Sequence, residues 1–290
     1  MTDPKSLLSA VEVIAREAGA AVMGFYNAGA GKASEDLEII NKADGSEVTS
    51  ADYAAEKIIL AALAKLTPKI PVVCEERVAE GATPDVSGGT FWTVDPLDGT
   101  KEFLNRTGAF VVAIGLVVDN KPVLGVIYHP AMDLMYAGCG GKAIKVDSTG
   151  VRKPLGAGTE ESKELRVLVN EPHANMKNIK GYLKNQFGTA ARIDSKSGIL
   201  RACQVAESLA ALSVYESAKD DGRTAWWDVA PGHAIIEAAG GKVETLEGKP
   251  LEYKLDDHKD YKVPPHVAFS PQHVKKAAQA ARPVPPSNGR

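Results

Sequence analysis

The sequence predicts a mixed α/β protein with helices layered on sheets: a mostly antiparallel N-terminal sheet, then a smaller C-terminal α/β lobe. Three observations carry this expectation. Apolar residues at helical spacing open the chain, a run of β-type segments fills its middle, and helix and strand patterns alternate toward its end.

In order, Leu7, Val11, Ile14, Ala18, Val22 and Phe25 recur three or four apart over 6–26, the apolar stripe of a helix. Residues 41–46 have turn composition and lead to Thr49, which with Asp52 resembles a capping box with Asp in place of Glu. Ala54, Ile58, Ala61, Ala62 and Leu66 form the apolar side of a second helix, which Pro68 ends. Strands follow over 71–74, 91–94, 109–118, 123–128, 132–137 and 142–146, with tight turns at 119–122 and 138–141. The polar stretch 147–164 is the expected boundary between an N-terminal lobe (1–148) and a C-terminal lobe (149–280). Beyond it come a strand at 165–170, helices near 173–187 and 199–211, and a strand near 212–216. A last helix starts near Asp228 and stops before Gly240-Gly241. The Pro- and Ser-rich tail, 281–290, is expected to be disordered.

At 290 residues the chain can bury a sizeable core, and its 44% hydrophobic and 24% charged fractions are those of a soluble globular protein. No apolar run approaches the roughly 18 residues of a membrane span, and Met1 to Lys5 carry no secretion signal. A cytoplasmic protein without strong membrane association is expected. Cys74, Cys139 and Cys203 lie far apart, which fits isolated reduced thiols and not a disulfide framework. A formal charge of −3 argues against a nucleic-acid polymer as partner. A small anionic substrate would need its charge offset locally, which points to a metal.

The sharpest local feature is Asp95-Pro96-Leu97-Asp98-Gly99-Thr100, an apolar strand ending in two carboxylates three apart. Loops at strand ends are where rigid scaffolds place functional groups. Taken singly, this segment also reads as a turn, Glu75-Glu76 as solvated acids, and Asp228, after Trp226-Trp227, as a helix cap. Together they read differently. Two unit charges about 4 Å apart cost about 1 kcal/mol in water and about 4 kcal/mol at an effective dielectric of about 20. If Glu75, Asp95, Asp98 and Asp228 converge, they need a cation to stay ionised. Hard oxygen ligands, with no zinc-type pair among the six histidines, select magnesium or manganese. The two tryptophans read as packing residues, and Gly138-Cys139-Gly140-Gly141 as a hairpin turn.

The aspartate motif, Glu75-Glu76 upstream, and Trp227-Asp228 with Ala230, Gly232 and His233 together resemble the lithium-sensitive, magnesium-dependent phosphatases of the inositol monophosphatase superfamily. The resemblance covers roughly residues 40–255 and implies an αβαβα layered fold. Lys101-Glu102-Phe103, the segment 45–52 and the segment 124–130 are most similar to the 3′(2′),5′-bisphosphate nucleotidases within it. Those enzymes hydrolyse adenosine 3′,5′-bisphosphate, a by-product of sulfate assimilation, to AMP and phosphate. Inositol monophosphatase or sugar-bisphosphate phosphatase activity is the alternative, and a non-catalytic metal- or nucleotide-binding module is the alternative of another class.

Carried over by position, the resemblance implies two or three Mg2+ ions, or Mn2+, held by Glu75, Asp95, the Leu97 carbonyl, Asp98 and Asp228. It implies Asp52 and Thr100 as the groups that orient and deprotonate the attacking water, without a phosphoenzyme. Glu75, Leu97, Asp98, Gly99, Thr100, His173, Ser197, Arg201 and Asp228 would contact substrate. Arg201 and Arg223 read equally well as solvated surface charges. Inhibition by lithium is implied too.

Overall fold

The structure, a computed structural model, describes residues 3–28, 38–41, 47–156, 165–170, 174–188, 191–196, 198–218, 222–256 and 260–280. The expected disordered tail lies outside these residues, as do residues 42–46 of the expected turn, His173 and Ser197.

The elements are α1 (Pro4–Ala28), β1 (Ile39–Asn41), β2 (Glu47–Thr49), α2 (Ser50–Leu66), β3 (Val72–Cys74), α3 (Glu75–Ala79), β4 (Phe91–Asp98), α4 (Thr100–Leu104), β5 (Val111–Val118), β6 (Lys121–His129), β7 (Leu134–Cys139), β8 (Lys142–Val146) and β9 (Arg152–Pro154). They continue with β10 (Arg166–Val169), α5 (Met176–Phe187), β11 (Arg192–Ser195), α6 (Leu200–Ala206), β12 (Leu212–Tyr215), β13 (Thr224–Ala225), α7 (Trp226–Ala238), β14 (Lys242–Thr245), β15 (Lys262–Val263), β16 (His266–Phe269) and α8 (Pro271–Ala280).

One sheet has the order β3-β4-β5-β6-β7-β8-β9, antiparallel except for the parallel pair β3–β4. A five-stranded sheet has the order β11-β10-β12-β16-β14: its first three strands are parallel, and β16 runs antiparallel to both of its neighbours, β12 and β14. Strand periodicity divides β5 between two cores. Val112, Ile114 and Leu116 pack with Leu7, Val11, Ala55 and Ile59 of α1 and α2. Val111, Ala113 and Val117 face the opposite way, with Ala202, Val205, Ala230 and Ile235 of α6 and α7. That middle layer also meets Leu168, Tyr215, Val243 and Ala268 of the second sheet, whose outer face packs on Ile179 and Leu183 of α5. The layers therefore run αβαβα.

Several expectations need correction at their edges. The strand expected over 91–94 continues to Asp98, so the aspartate motif is the irregular end of a strand and not a free turn. The helix expected near 199–211 stops at Ala206. Strands β1, β2, β9, β11, β13, β14, β15 and β16 and helices α3, α4 and α8 have no counterpart in the sequence reading, because their patterns are short or polar. The expected hairpin turns are present but shorter: Asp119-Asn120 and Gly140-Gly141 take positive φ, while Lys121 and Pro122 already belong to β6, and β7 covers Leu134–Cys139 instead of 132–137, taking in Gly138 and Cys139. All three cysteines are free and buried. Among the described residues no helix is long and apolar enough to cross a membrane.

A row of glycines decides how closely α7 approaches the first sheet. Gly115, Gly125 and Gly138 are direct neighbours across β5, β6 and β7. A Cβ on Gly125 would lie 2.0 Å from the Pro231 carbonyl oxygen, and one on Gly138 would lie 2.7 Å from the Ile235 Cα. The helix backbone thus rests on bare strand backbone. This fixes the height of α7, and of Asp228 in its first turn, above the sheet.

Candidate active site

Asp95 and Asp98 are three apart on one strand, and side chains at that separation point to opposite faces of regular β structure. Here the β4–β5 register shifts between Asp95 and Asp98. Such a bulge re-aims side chains. Inside it Asp95 Oδ1 accepts the Leu97 backbone N–H at 3.0 Å. Gly99 then turns the chain at φ +90, where a Cβ would meet the Ala109 carbonyl at 2.9 Å, and α4 begins at Thr100.

Asp228 arrives from α7. That helix begins two residues earlier than expected, with Ala225 as its N-cap and no side-chain cap. Asp228 is therefore not a cap but a first-turn carboxylate, a position that the positive end of the helix dipole favours. Asp95, Asp98 and Asp228 each offer an oxygen, and these oxygens lie within 4.8 Å of one another. Glu75 opens α3 directly after β3, the parallel neighbour of β4. It stands outside that tight trio, yet its charge raises the pKa of Asp95, Asp98 and Asp52.

Electrostatics mark the same spot. Burial, and then the charges of Glu75, Asp98 and Asp228, push Asp95 well above the ordinary carboxylate range. Asp98 rises to about 6, chiefly by burial; Glu75 and Glu102 add to the rise, while the Ile199 N–H and Arg201 oppose it. The three donors of this trio are all carboxylate oxygens at high negative charge density, which fits a hard divalent cation better than a soft one.

Asp52 sits at the edge of this cluster. The capping box is present: Thr49 Oγ1 accepts the Ala51 N–H, while Asp52 Oδ2 accepts both the Thr49 N–H at 2.8 Å and the Thr49 hydroxyl at 2.7 Å. Its other oxygen, Oδ1, accepts the Thr100 hydroxyl at 3.3 Å, and the Leu97 carbonyl is an alternative acceptor for that hydroxyl at 3.3 Å. Burial raises Asp52 to about 6 against the opposing Thr49 bonds, with a smaller push from Glu75. A carboxylate whose pKa burial raises to about 6, fixed on one oxygen and joined to a hydroxyl on the other, suits the role of a general base.

The two arginines are not solvated surface charges. Arg223 is buried and paired with Asp256 and Asp260 at 2.9 and 2.7 Å. Arg201 is 7% exposed and stacks over Tyr215 with its carbon 4.0 Å from the ring centroid. His233, part of the Trp227-to-His233 motif, is also buried, between the Tyr253 hydroxyl and Glu237. Trp226 is fully buried and stacked on Phe91, as expected of a packing residue. Glu76 is buried too, contrary to a solvated acid. Sequence reasoning missed Ile199, whose N–H bonds Asp98 Oδ2 at 2.8 Å, because a backbone donor leaves no side-chain signature.

A layered αβαβα fold with a carboxylate cluster at a bulged strand end defines a class of metal-dependent phosphatase-type proteins, and comparison agrees. The sequence profile of the inositol monophosphatase family matches residues 3–283, and the chain belongs to that family. Members are generally metal-dependent, and the acidic cluster is present here. Within the family the chain is 40% identical over 247 residues to the 3′(2′),5′-bisphosphate nucleotidase CysQ of Escherichia coli K12, covering 85% of this chain and 94% of that protein. It is 34% identical over 253 residues to the CysQ of Buchnera aphidicola, covering 87% and 89%. The crystal structure of CysQ from Bacteroides thetaiotaomicron superimposes with a TM-score of 0.68 at 27% identity, covering 92% of this chain and 97% of that one.

Proposed function

We propose that this protein is a 3′(2′),5′-bisphosphate nucleotidase that hydrolyses the 3′-phosphate of adenosine 3′,5′-bisphosphate to AMP and phosphate. The convergence of the Asp95, Asp98 and Asp228 oxygens beside the Asp52–Thr100 pair carries the phosphatase reading. The 40% identity to a relative of that name carries the substrate.

In this reading Glu75, Asp95, Asp98, Asp228 and the Leu97 carbonyl hold two or three Mg2+ ions, with Mn2+ as a substitute. Bound there, the ions supply positive charge for the phosphate and acidify water. The chain's own groups do the rest. Thr100 Oγ1 takes a hydrogen bond from the attacking water and passes its own proton toward Asp52 Oδ1, whose raised pKa suits it to receive one. Thr49 keeps the other Asp52 oxygen fixed, so the base does not swing toward the metal ligands. The Gly99 and Thr100 N–H groups, at the strand-to-helix turn, offer donors to the same phosphate. No covalent phosphoryl adduct is involved. Among the described residues the absence of a spanning helix is in keeping with a cytoplasmic enzyme acting on a small phosphorylated metabolite.

The test is phosphate release from adenosine 3′,5′-bisphosphate and inositol 1-phosphate, side by side, with and without chelator. The nucleotide should be preferred and the chelator should stop turnover. Preference for the inositol ester would remove the nucleotidase and leave the phosphatase. Binding of nucleotide without release from either ester would instead indicate a binding module.

A further inference from the structure

Asp98 belongs to the first sheet, yet it is held from the second half of the chain. Its Oδ2 accepts the Ile199 N–H at 2.8 Å, and a Cβ placed on Gly198 would lie 2.3 Å from the same oxygen. Gly198 also sits at φ +65, in the left-handed region. Both demands fall on one residue, and glycine alone meets them at little cost. Three residues on, Arg201 folds back onto this turn. Its Nε donates to the Gly198 carbonyl at 3.3 Å and its Nη1 to the Val214 carbonyl at 3.2 Å, while the guanidinium lies flat on Tyr215. His266 stacks on Tyr215 at 4.5 Å, so the ring under the guanidinium is itself supported. Close approach of α6 to α7, where a Cβ on Gly232 would lie 2.4 Å from the Ala202 Cβ, sets the height of the whole turn.

We propose that Gly198, Ile199 and Arg201 are positioning residues that fix the direction of the Asp98 carboxylate, so that metal affinity is set from the second half of the chain. This rests on the reading that Asp98 holds a metal. It also gives Arg201 a task other than substrate contact: its planar fork reaches two carbonyls while lying flat on a ring, which a lysine ammonium does not do. Hydrogen bonds that orient a metal ligand from behind matter about 10- to 100-fold in metal affinity.

The experiment is Mn2+ binding to the substrate-free protein by calorimetry, for wild type, Gly198→Ala, Arg201→Lys and Asp95→Asn, each checked for folding by circular dichroism in chelator. Gly198→Ala and Arg201→Lys should both bind Mn2+ about 10- to 100-fold more weakly, with the KM for substrate at saturating metal little changed. Wild-type Mn2+ affinity in both, with only KM raised in Arg201→Lys, overturns the proposal and makes Arg201 a substrate contact. Should either variant fail to fold, Mg2+ titration of the wild type followed by amide NMR gives the answer: the Ile199 amide resonance should move with metal occupancy, and a stationary one overturns the proposal. Asp95→Asn separates the two levels. If it too keeps full Mn2+ affinity the metal site itself is misassigned, whereas its loss beside intact Gly198→Ala binding sinks the positioning role alone.

Discussion

The Thr100 hydroxyl and the Asp52 carboxylate meet at 3.3 Å although 48 positions separate them in the chain. Asp52 also caps α2 through Thr49, so replacing it would disturb a helix as well as a proton path. Thr100 offers the cleaner test. Thr100→Val should lower kcat by about 10²- to 10⁴-fold, the usual worth of a positioned proton acceptor, while Mn2+ affinity and KM change little. Thr100→Ser, which keeps the hydroxyl, should retain most of the activity. A fully active valine variant would remove Thr100 from the mechanism.

Asp98→Asn should abolish phosphate release yet leave the metal-free protein folded. Burial and neighbouring acids disfavour the charged form of Asp98, so a neutral side chain there relieves repulsion in the absence of metal. Thermal unfolding in chelator at pH 7 should show the variant at least as stable as wild type, and added Mg2+ should stabilise only the wild type. A markedly less stable variant in chelator would show that Asp98 serves the fold before it serves a metal.

The pH dependence of the metal-free protein follows from the same groups. Asp52 and Asp98 are raised from an ordinary 3.8 to about 6, and Asp95 also rises. A carboxyl with a higher pKa in the folded state contributes stability that is present at low pH and is lost as pH rises through that folded value. In chelator, the melting temperature should therefore fall as pH rises from about 4 to about 7, each fully expressed group removing about 1.4 kcal/mol per pH unit between its ordinary and its folded pKa. Saturating Mg2+ should flatten or reverse the slope, because the charged form then has a partner. A flat profile in chelator would contradict close packing of these acids.

Gly125→Ala tests the platform beneath α7. The new methyl would meet the Pro231 carbonyl at 2.0 Å, which is backbone and has no rotamer to yield. Overpacking of this kind costs about 1–3 kcal/mol. Urea denaturation should register that loss, and Mn2+ affinity should fall as well, because Asp228 rides on the same helix. Loss of stability with unaltered Mn2+ affinity would separate α7 from the metal site.

Calcium in excess over magnesium should inhibit. Its larger radius and looser coordination tolerate seven or eight oxygens, which misplaces a water that needs near-octahedral geometry. Phosphate release at fixed Mg2+ and rising Ca2+ measures this directly, and undiminished turnover in calcium would count against ordered coordination.

Much of this was legible in the residues themselves. Helical spacing placed α1 and α2, and Thr49 with Asp52 foretold the capping box, because these signals depend only on neighbours three or four apart. The aspartate motif, Glu75 and Asp228 were each visible as strand-end or helix-start acids. The meeting of Asp95, Asp98 and Asp228 was implied by the family resemblance and not by any local pattern. It requires a bulge between Asp95 and Asp98 and a glycine row at Gly115, Gly125 and Gly138 that admits α7, and neither has a local pattern in the chain.

The sequence by itself determined the inventory: the acids, their order, the Thr49–Asp52 cap, the apolar run that becomes β5, and the family to which they belong. Only tertiary structure decided which of those groups share a space, since that depends on backbone approach across elements far apart in the chain. Arg201 and Arg223 show the difference: two arginines alike on paper, one lying on Tyr215 behind the acids and the other tied up by Asp256 and Asp260. The reason is physical. A charge's partner is set by distance and burial in the folded molecule, and neither quantity exists until the layers have packed.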